Sequence, residues 1–259
     1  MDLGLKSRWA MVCGASAGLG LACSEVLASE GVNLVMVARD PVRLKTSADN
    51  IQANYPVEII THSANISHPK ERDQLLQNFS NLDILITNSG GPPIADFMSI
   101  ATEQWLDALS LNMLAPIALI RGVIDGMVKR KFGRIVNITS VSVKSPRSTM
   151  CLSTGARAGL TGAISALARD IAKHNVTINN LLPGPFITER LKKNNELRSQ
   201  YENVPISDIE KDIISHIPAR RFGDPYEFAC ASAFLCSIHA GFITGQNLVI
   251  DGGSFRGLL

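Results

Sequence analysis

Charge of one sign is the first thing this chain lacks: 25 lysines and arginines stand against 23 aspartates and glutamates, a formal charge of +2 over 259 residues. That leaves no basic field of the kind nucleic-acid binding needs. Long apolar runs are missing too. Nowhere do about 18 apolar residues follow one another, which argues against a membrane span, and the opening MDLGLKSRWA has no apolar stretch of signal-peptide type. Cysteine is sparse and unpatterned. Cys13, Cys23, Cys151, Cys230 and Cys236 form no C-x-x-C pair and no zinc spacing, and they read as reduced thiols of a cytoplasmic protein. The five histidines, His62, His68, His174, His216 and His239, are scattered, so no metal site is expected. Tyrosine is the scarcest reactive side chain, with three in the chain.

What is present is a regular alternation. With 46% hydrophobic and 19% charged residues the chain can build a large core. Short apolar runs recur at Trp9–Cys13, Asn33–Val37, Val57–Thr61, Ile84–Thr87, Arg134–Thr139, Thr177–Leu182 and Leu248–Ile250. Between them lie segments of helical spacing at Leu19–Ser29, Pro69–Phe79, Glu103–Arg130, Leu152–Lys173 and Pro225–Ser237. Strands without in/out alternation suit a parallel sheet covered on both faces, so the expectation is one α/β domain over 1–259, a doubly wound Rossmann fold. The polar stretch Arg190–Arg221 breaks the rhythm. It reads as an insertion over one edge, either a substrate lid or a solvated helical connector.

The first apolar run enters Gly14-Ala15-Ser16-Ala17-Gly18-Leu19-Gly20 and helical spacing follows at once. Glycines there let the backbone turn and approach a pyrophosphate, whose charge meets free N–H groups at the helix start. The G-x-x-x-G-x-G spacing, Thr87-Asn88-Ser89-Gly90 after the fourth strand, Asn112, Ser140, the stretch Asn179 through Pro183-Gly184 to Thr188, and Thr244-Gly245-Gln246 through Asp251-Gly252-Gly253 come in one order along the chain. In these motifs the sequence resembles the short-chain dehydrogenase/reductase family over nearly its whole length, with a parallel seven-stranded sheet implied. The resemblance implies cofactor contacts at Gly14, Ser16, Ala17, Gly18, Leu19 and Gly20, at Arg39, at Asn65 and Ile66, at Asn88, Ser89 and Gly90, at Arg157, and at Pro183, Gly184, Phe186, Ile187 and Thr188. An acidic residue ending the second strand would take a ribose hydroxyl and a basic one a 2′-phosphate. Ala38-Arg39-Asp40 stands there, so NADP is favoured over NAD, with Asp40 on the ribose as the alternative.

Family members move a hydride between nicotinamide and a carbonyl or alcohol, with a tyrosine handling the proton and a lysine one helical turn on lowering its pKa from about 10. Counted from Ser140, that tyrosine belongs at position 153 and the lysine at 157. The chain has Ser153-Thr154-Gly155-Ala156-Arg157. The candidate catalytic set is therefore Ser140, Asn112, Ser153 and Arg157, in a divergent branch similar to 3-oxoacyl-(acyl-carrier-protein) reductases. Losing a positioned acid typically costs about 10²- to 10⁴-fold, and arginine binds without shuttling a proton. Two readings follow: an NADP-dependent oxidoreductase whose proton comes from serine, water or a lid residue such as Tyr201, or a dinucleotide-binding sensor, scaffold or partner subunit. The basic cluster Lys129-Arg130-Lys131 with Arg134 reads as a solvated helix end or as a contact for an acidic acyl carrier protein. The resemblance also implies a homotetramer or homodimer.

Overall fold

The structure is a computed structural model and describes residues 1–79 and 81–258. Seven parallel strands form one sheet in the order β3-β2-β1-β4-β5-β6-β7: β1 Trp9–Cys13, β2 Asn33–Ala38, β3 Ile59–Ser63, β4 Ile84–Thr87, β5 Gly133–Ile138, β6 Val176–Pro183 and β7 Asn247–Ile250. The four apolar residues ending β1 are buried, as are all of β4 and β5, because helices cover both faces. After β3 the chain crosses to the other side of β1 and resumes with β4, which places a topological switch point between the carboxyl ends of those two strands. Ligands of open α/β sheets bind there.

Helices α1 (Gly18–Ser29) and α9 (Pro225–Cys236) pack together on one face, where Leu27, Leu34, Met36 and Phe228 share a core cluster. On the other face lies a second cluster including Leu119, Val123, Met127, Leu160 and Ile164. The start of α9 follows from local chemistry. Asp224 Oδ1 accepts from Tyr226 N at 2.8 Å, Glu227 Oε2 accepts from Asp224 N at 2.9 Å, and Pro225 occupies the first turn, where its missing N–H costs nothing.

Several boundaries differ from the sequence expectation. The third strand begins at Ile59 and takes in Thr61, His62 and Ser63, because an edge strand needs only one partner and tolerates polar side chains. Helix α2 (Pro41–Asn54) was not expected. Asp40 caps it, accepting from Val42 N and Arg43 N at 3.0 Å, while Leu44, Ser47, Ala48 and Ile51 make a narrow buried stripe on an otherwise polar helix. Helix α3 spans Pro69–Asn78.

The long helical stretch divides into α4 (Thr102–Leu109), a π-helical turn (Ser110–Leu114) and α5 (Ala115–Arg130). Pro116 has no N–H to offer the carbonyl of Asn112, so the i to i−4 ladder cannot run through this point. By length and composition Thr102–Arg130 could cross a membrane, but its α5 part buries Leu119, Ile120, Val123 and Met127 against the sheet. Helix α6 spans Cys151–Ile171, and the polar stretch after β6 forms α7 (Glu189–Glu202) and α8 (Ile206–Ser215). The basic cluster is not a continuous patch. Arg134 is 1% exposed, donating to the carbonyls of Ser237, Gly133 and Asn175, and Arg130 is held by Asn81, Leu82 and Asp83.

Candidate active site

The glycine loop lies at the switch point. Gly14 and Gly18 have φ of +64° and +56°, a region side chains rarely enter. A Cβ on Gly20 would sit 2.3 Å from Gly14 O and 2.8 Å from Asn88 Nδ2, so Asn88 and two glycines close on one another. Ala17 precedes α1 in extended conformation, and among the described residues no side chain caps that helix and no acid occupies its first turn. Its N–H groups suit a pyrophosphate. Thr188 approaches from the end of β6, with Cγ2 3.5 Å from where a Gly18 Cβ would be, and it caps α7 by accepting from Leu191 N at 3.3 Å.

At the adenosine end, Arg39 is exposed and its carbonyl accepts from Ser63 Oγ. Asp40 is engaged as the cap of α2. Arg43, which sequence reasoning missed, comes off the first turn of that helix: its Nε donates to Ser16 O at 3.1 Å and its guanidinium pairs with Glu189 on α7. The signal for it was present in Asp40-Pro41, a cap followed by a first-turn proline. Asn65 has turned into its own loop, with Oδ1 accepting from Ser67 N and Oγ at 3.2 and 2.9 Å, and Ile66 is buried. The Phe186 side chain belongs to the buried core. Its ring is buried edge-to-face on Phe228 beneath Gly223, whereas Ile187 is exposed and Gly184 packs against Asp251.

At the other end α6 carries Ser153 and Arg157 one turn apart. Arg157 is 7% exposed; its Nε donates to Ser153 Oγ at 3.2 Å and its Nη1 to Ile138 O at 2.7 Å, tying the helix to the end of β5 just before Ser140. No carboxylate pairs with it among the described residues, and burial pushes its pKa down to about 10, with the charge of Arg190 adding to the effect. Ser140 Oγ accepts from Ser142 N at 3.1 Å, which leaves the hydroxyl proton free. Asn112, in the π-helical turn, donates through Nδ2 to Ser89 Oγ at 2.6 Å and to Gly90 O at 3.1 Å. Its Oδ1 is buried with no donor among the described residues, so a water or ligand donor would satisfy it. Asn112 lines a cavity of about 210 Å³ with Pro92, Pro93, Ala108, Leu111 and Leu152. Tyr201 on α7 is 91% exposed.

A sequence model of the family described as short chain dehydrogenase matches residues 8–199. The chain belongs to the short chain dehydrogenase family. The 3-oxoacyl-(acyl-carrier-protein) reductase FabG of Vibrio cholerae serotype O1 is 30% identical over 98% of this chain and 99% of its own length. Among solved structures, YwfH, an NADPH-dependent reductase involved in bacilysin biosynthesis, superposes with a TM-score of 0.93 at 30% identity, covering 98% of this chain and 100% of its own. L-sorbose reductase from Gluconobacter frateurii, solved with NADPH and L-sorbose, superposes at 0.94 and 28% identity, covering both chains fully. This member of the family presents serine and arginine on α6, at the two positions where tyrosine and lysine were expected.

Proposed function

We propose that the protein is an NADP(H)-dependent reductase of small carbonyl compounds in which Ser153 and Arg157 take the places of the proton-transferring tyrosine and its lysine. The observation that carries this reading is the hydrogen bond from Arg157 Nε to Ser153 Oγ. With that oxygen already accepting, the Ser153 hydroxyl proton is left for donation to a substrate oxygen, and the neighbouring cation would stabilise the oxyanion until solvent returns a proton to it. Ser140, whose proton is also free, would hydrogen-bond the substrate oxygen. Bound NADP(H) supplies or accepts the hydride. Gly14, Gly18, Gly20 and Asn88 shape the loop for its pyrophosphate, Thr188 closes over that loop, and Arg39 with Arg43 provides cations for the 2′-phosphate. The NADPH named with YwfH and L-sorbose reductase favours the same choice of cofactor.

The stretch from Arg190 to Arg221, with α7 and α8, would act as the substrate lid of a single catalytic domain. Exposed apolar side chains on two faces support a homodimer or homotetramer: Leu106 and Leu114 around α4 and the π-helical turn, and Phe234, Phe242 and Leu248 around α9 and β7. An acyl-carrier-protein thioester, the substrate named for the FabG relative, belongs in the assay panel. The test is fluorescence titration with NADPH and NADH, then NADPH consumption over ketones and 3-oxoacyl thioesters. Binding without consumption would leave the protein as a dinucleotide-dependent sensor, scaffold or partner subunit. Binding of neither nucleotide would refute both readings. The double change Ser153→Tyr with Arg157→Lys should raise turnover where the site merely lacks its strongest acid.

A further inference from the structure

Arg190 is the most unusual cation of the site. It stands in the first turn of α7 and lays its guanidinium against Gly91: a Cβ there would lie 2.6 to 2.9 Å from Nη2, Nη1 and Cζ, so only glycine admits this approach. Nη2 donates to Pro92 O at 3.2 Å, which sets the group beside the cavity that Pro92 helps to line. The residue keeps access to solvent while protein crowds its charged end, and that crowding lowers its pKa. Its sequence neighbour Glu189 is turned away to Arg43, and no carboxylate pairs with Arg190 among the described residues. Arg157, also without a carboxylate, lies near enough to feel its charge. Neither guanidinium is paired with a carboxylate among the described residues, and Arg190 is the one that reaches the rim of the cavity, through Pro92.

The cavity beside Arg190 is different in character. Pro92, Pro93, Ala108, Leu111 and Leu152 supply its apolar lining, and Asn112, whose Oδ1 is buried without a partner among the described residues, lines it too. Gln104 and the exposed Asp107 line the same cavity from α4, so the carboxylate of a ligand is placed at the Pro92 rim beside Arg190 and not among the α4 residues. We propose that the substrate is an apolar carbonyl or alcohol compound bearing a carboxylate, its body in this cavity and its carboxylate on Arg190 at the mouth. A planar guanidinium offers two parallel donors to a carboxylate, and an open Gly90, with nothing within 4 Å of where its Cβ would be, leaves room for the ligand to reach it. The proposal rests on the reductase reading only in calling this ligand the substrate; the anion site stands on its own geometry.

The probe is 3-phenylpropanoate against its neutral amide, 3-phenylpropanamide, titrated calorimetrically into the full chain with and without NADP. The carboxylate should bind about 10- to 100-fold more tightly than the amide. Arg190→Ala should erase that preference and leave both the amide and NADPH binding as they were, while Arg190→Lys should keep part of it. Equal binding of the two probes, no binding of either, or a preference that survives Arg190→Ala would overturn the proposal. So would an Arg190→Ala protein that loses NADPH affinity and keeps the carboxylate preference, because the guanidinium would then serve a cofactor phosphate. A carboxylate preference in a protein that consumes no NADPH would sink the reductase reading alone.

Discussion

Gly20→Ala sets two physical effects against each other at one atom. Gly20 is the third residue of α1, and its φ is not in the left-handed region. Helix propensity alone would therefore reward alanine by about 0.5–1 kcal/mol. Contact says the reverse. The new Cβ would lie 2.3 Å from Gly14 O, where ordinary contact begins at 3.4 Å, so the loop and the helix must part by 1.1 Å, the difference between those distances. Asn88 Nδ2, at 2.8 Å, blocks the alternative movement. Overpacking of this kind costs about 1–3 kcal/mol, and a loop that relieves it by moving must pay the same strain to grip a pyrophosphate, weakening NADPH about 5- to 150-fold.

Gly18→Ala is the control. Its Cβ meets Thr188 Cγ2 at an ordinary 3.5 Å, but its φ of +56° costs alanine about 1–2 kcal/mol through the backbone. Urea unfolding and fluorescence titration with NADPH read both effects. A Gly20→Ala protein that is more stable than the parent and binds NADPH with unchanged Kd would refute the argument that close approach, not backbone freedom, requires this glycine.

Ser153→Ala should lower turnover by about 10²- to 10⁴-fold while leaving NADPH affinity unchanged, and Tyr201→Phe should leave the rate alone; loss of activity on Tyr201→Phe would move the proton donor to α7. Arg39→Ala and Arg43→Ala should each weaken NADPH about tenfold and spare NADH, and equal losses for both nucleotides would remove the 2′-phosphate assignment. Burial holds the thiols of Cys13 and Cys23 up at about 12, against about 9 when exposed. Between those values the unfolded chain is the one that loses protons, so the stability these thiols contribute is intact below pH 9 and is lost as pH rises towards 12. Each should account for a fall on the order of 2 kcal/mol between pH 9 and 11, seen in urea unfolding; Cys13→Ala and Cys23→Ala should flatten that fall, and an unchanged slope would show that the thiols do not cause it.

What could be read from the sequence was whatever one segment decides for itself. The uninterrupted apolar runs of β1, β4 and β5, the glycines ahead of α1 and the helical spacing of α9 are each local, and the parallel sheet follows from the first of these. Helix α2 escaped because its buried stripe is only four residues in fourteen, and Arg43 went unnoticed with it. The role of Arg134 was hidden for another reason. A basic residue beside three others in sequence reads as surface, but the carbonyls that receive its guanidinium come from Asn175 and Ser237, far along the chain, and only the folded sheet brings them in.

Arg190 is the sharpest instance of the same limit. In sequence it is one more charge at the start of a polar stretch, and Gly91 is one more glycine after Gly90. Neither has meaning without the other, and 98 residues separate Arg190 from the Pro92 carbonyl it reaches. The departure at positions 153 and 157 could be read directly, since it breaks an expected spacing. Its consequence could not, because whether the site has lost a function or exchanged one depends on which charges the fold gathers around the change. With Arg190 laid against Gly91 and Glu189 turned to Arg43, one guanidinium is left beside the cavity with no carboxylate pairing with it among the described residues, an arrangement that a ligand of opposite charge would complete.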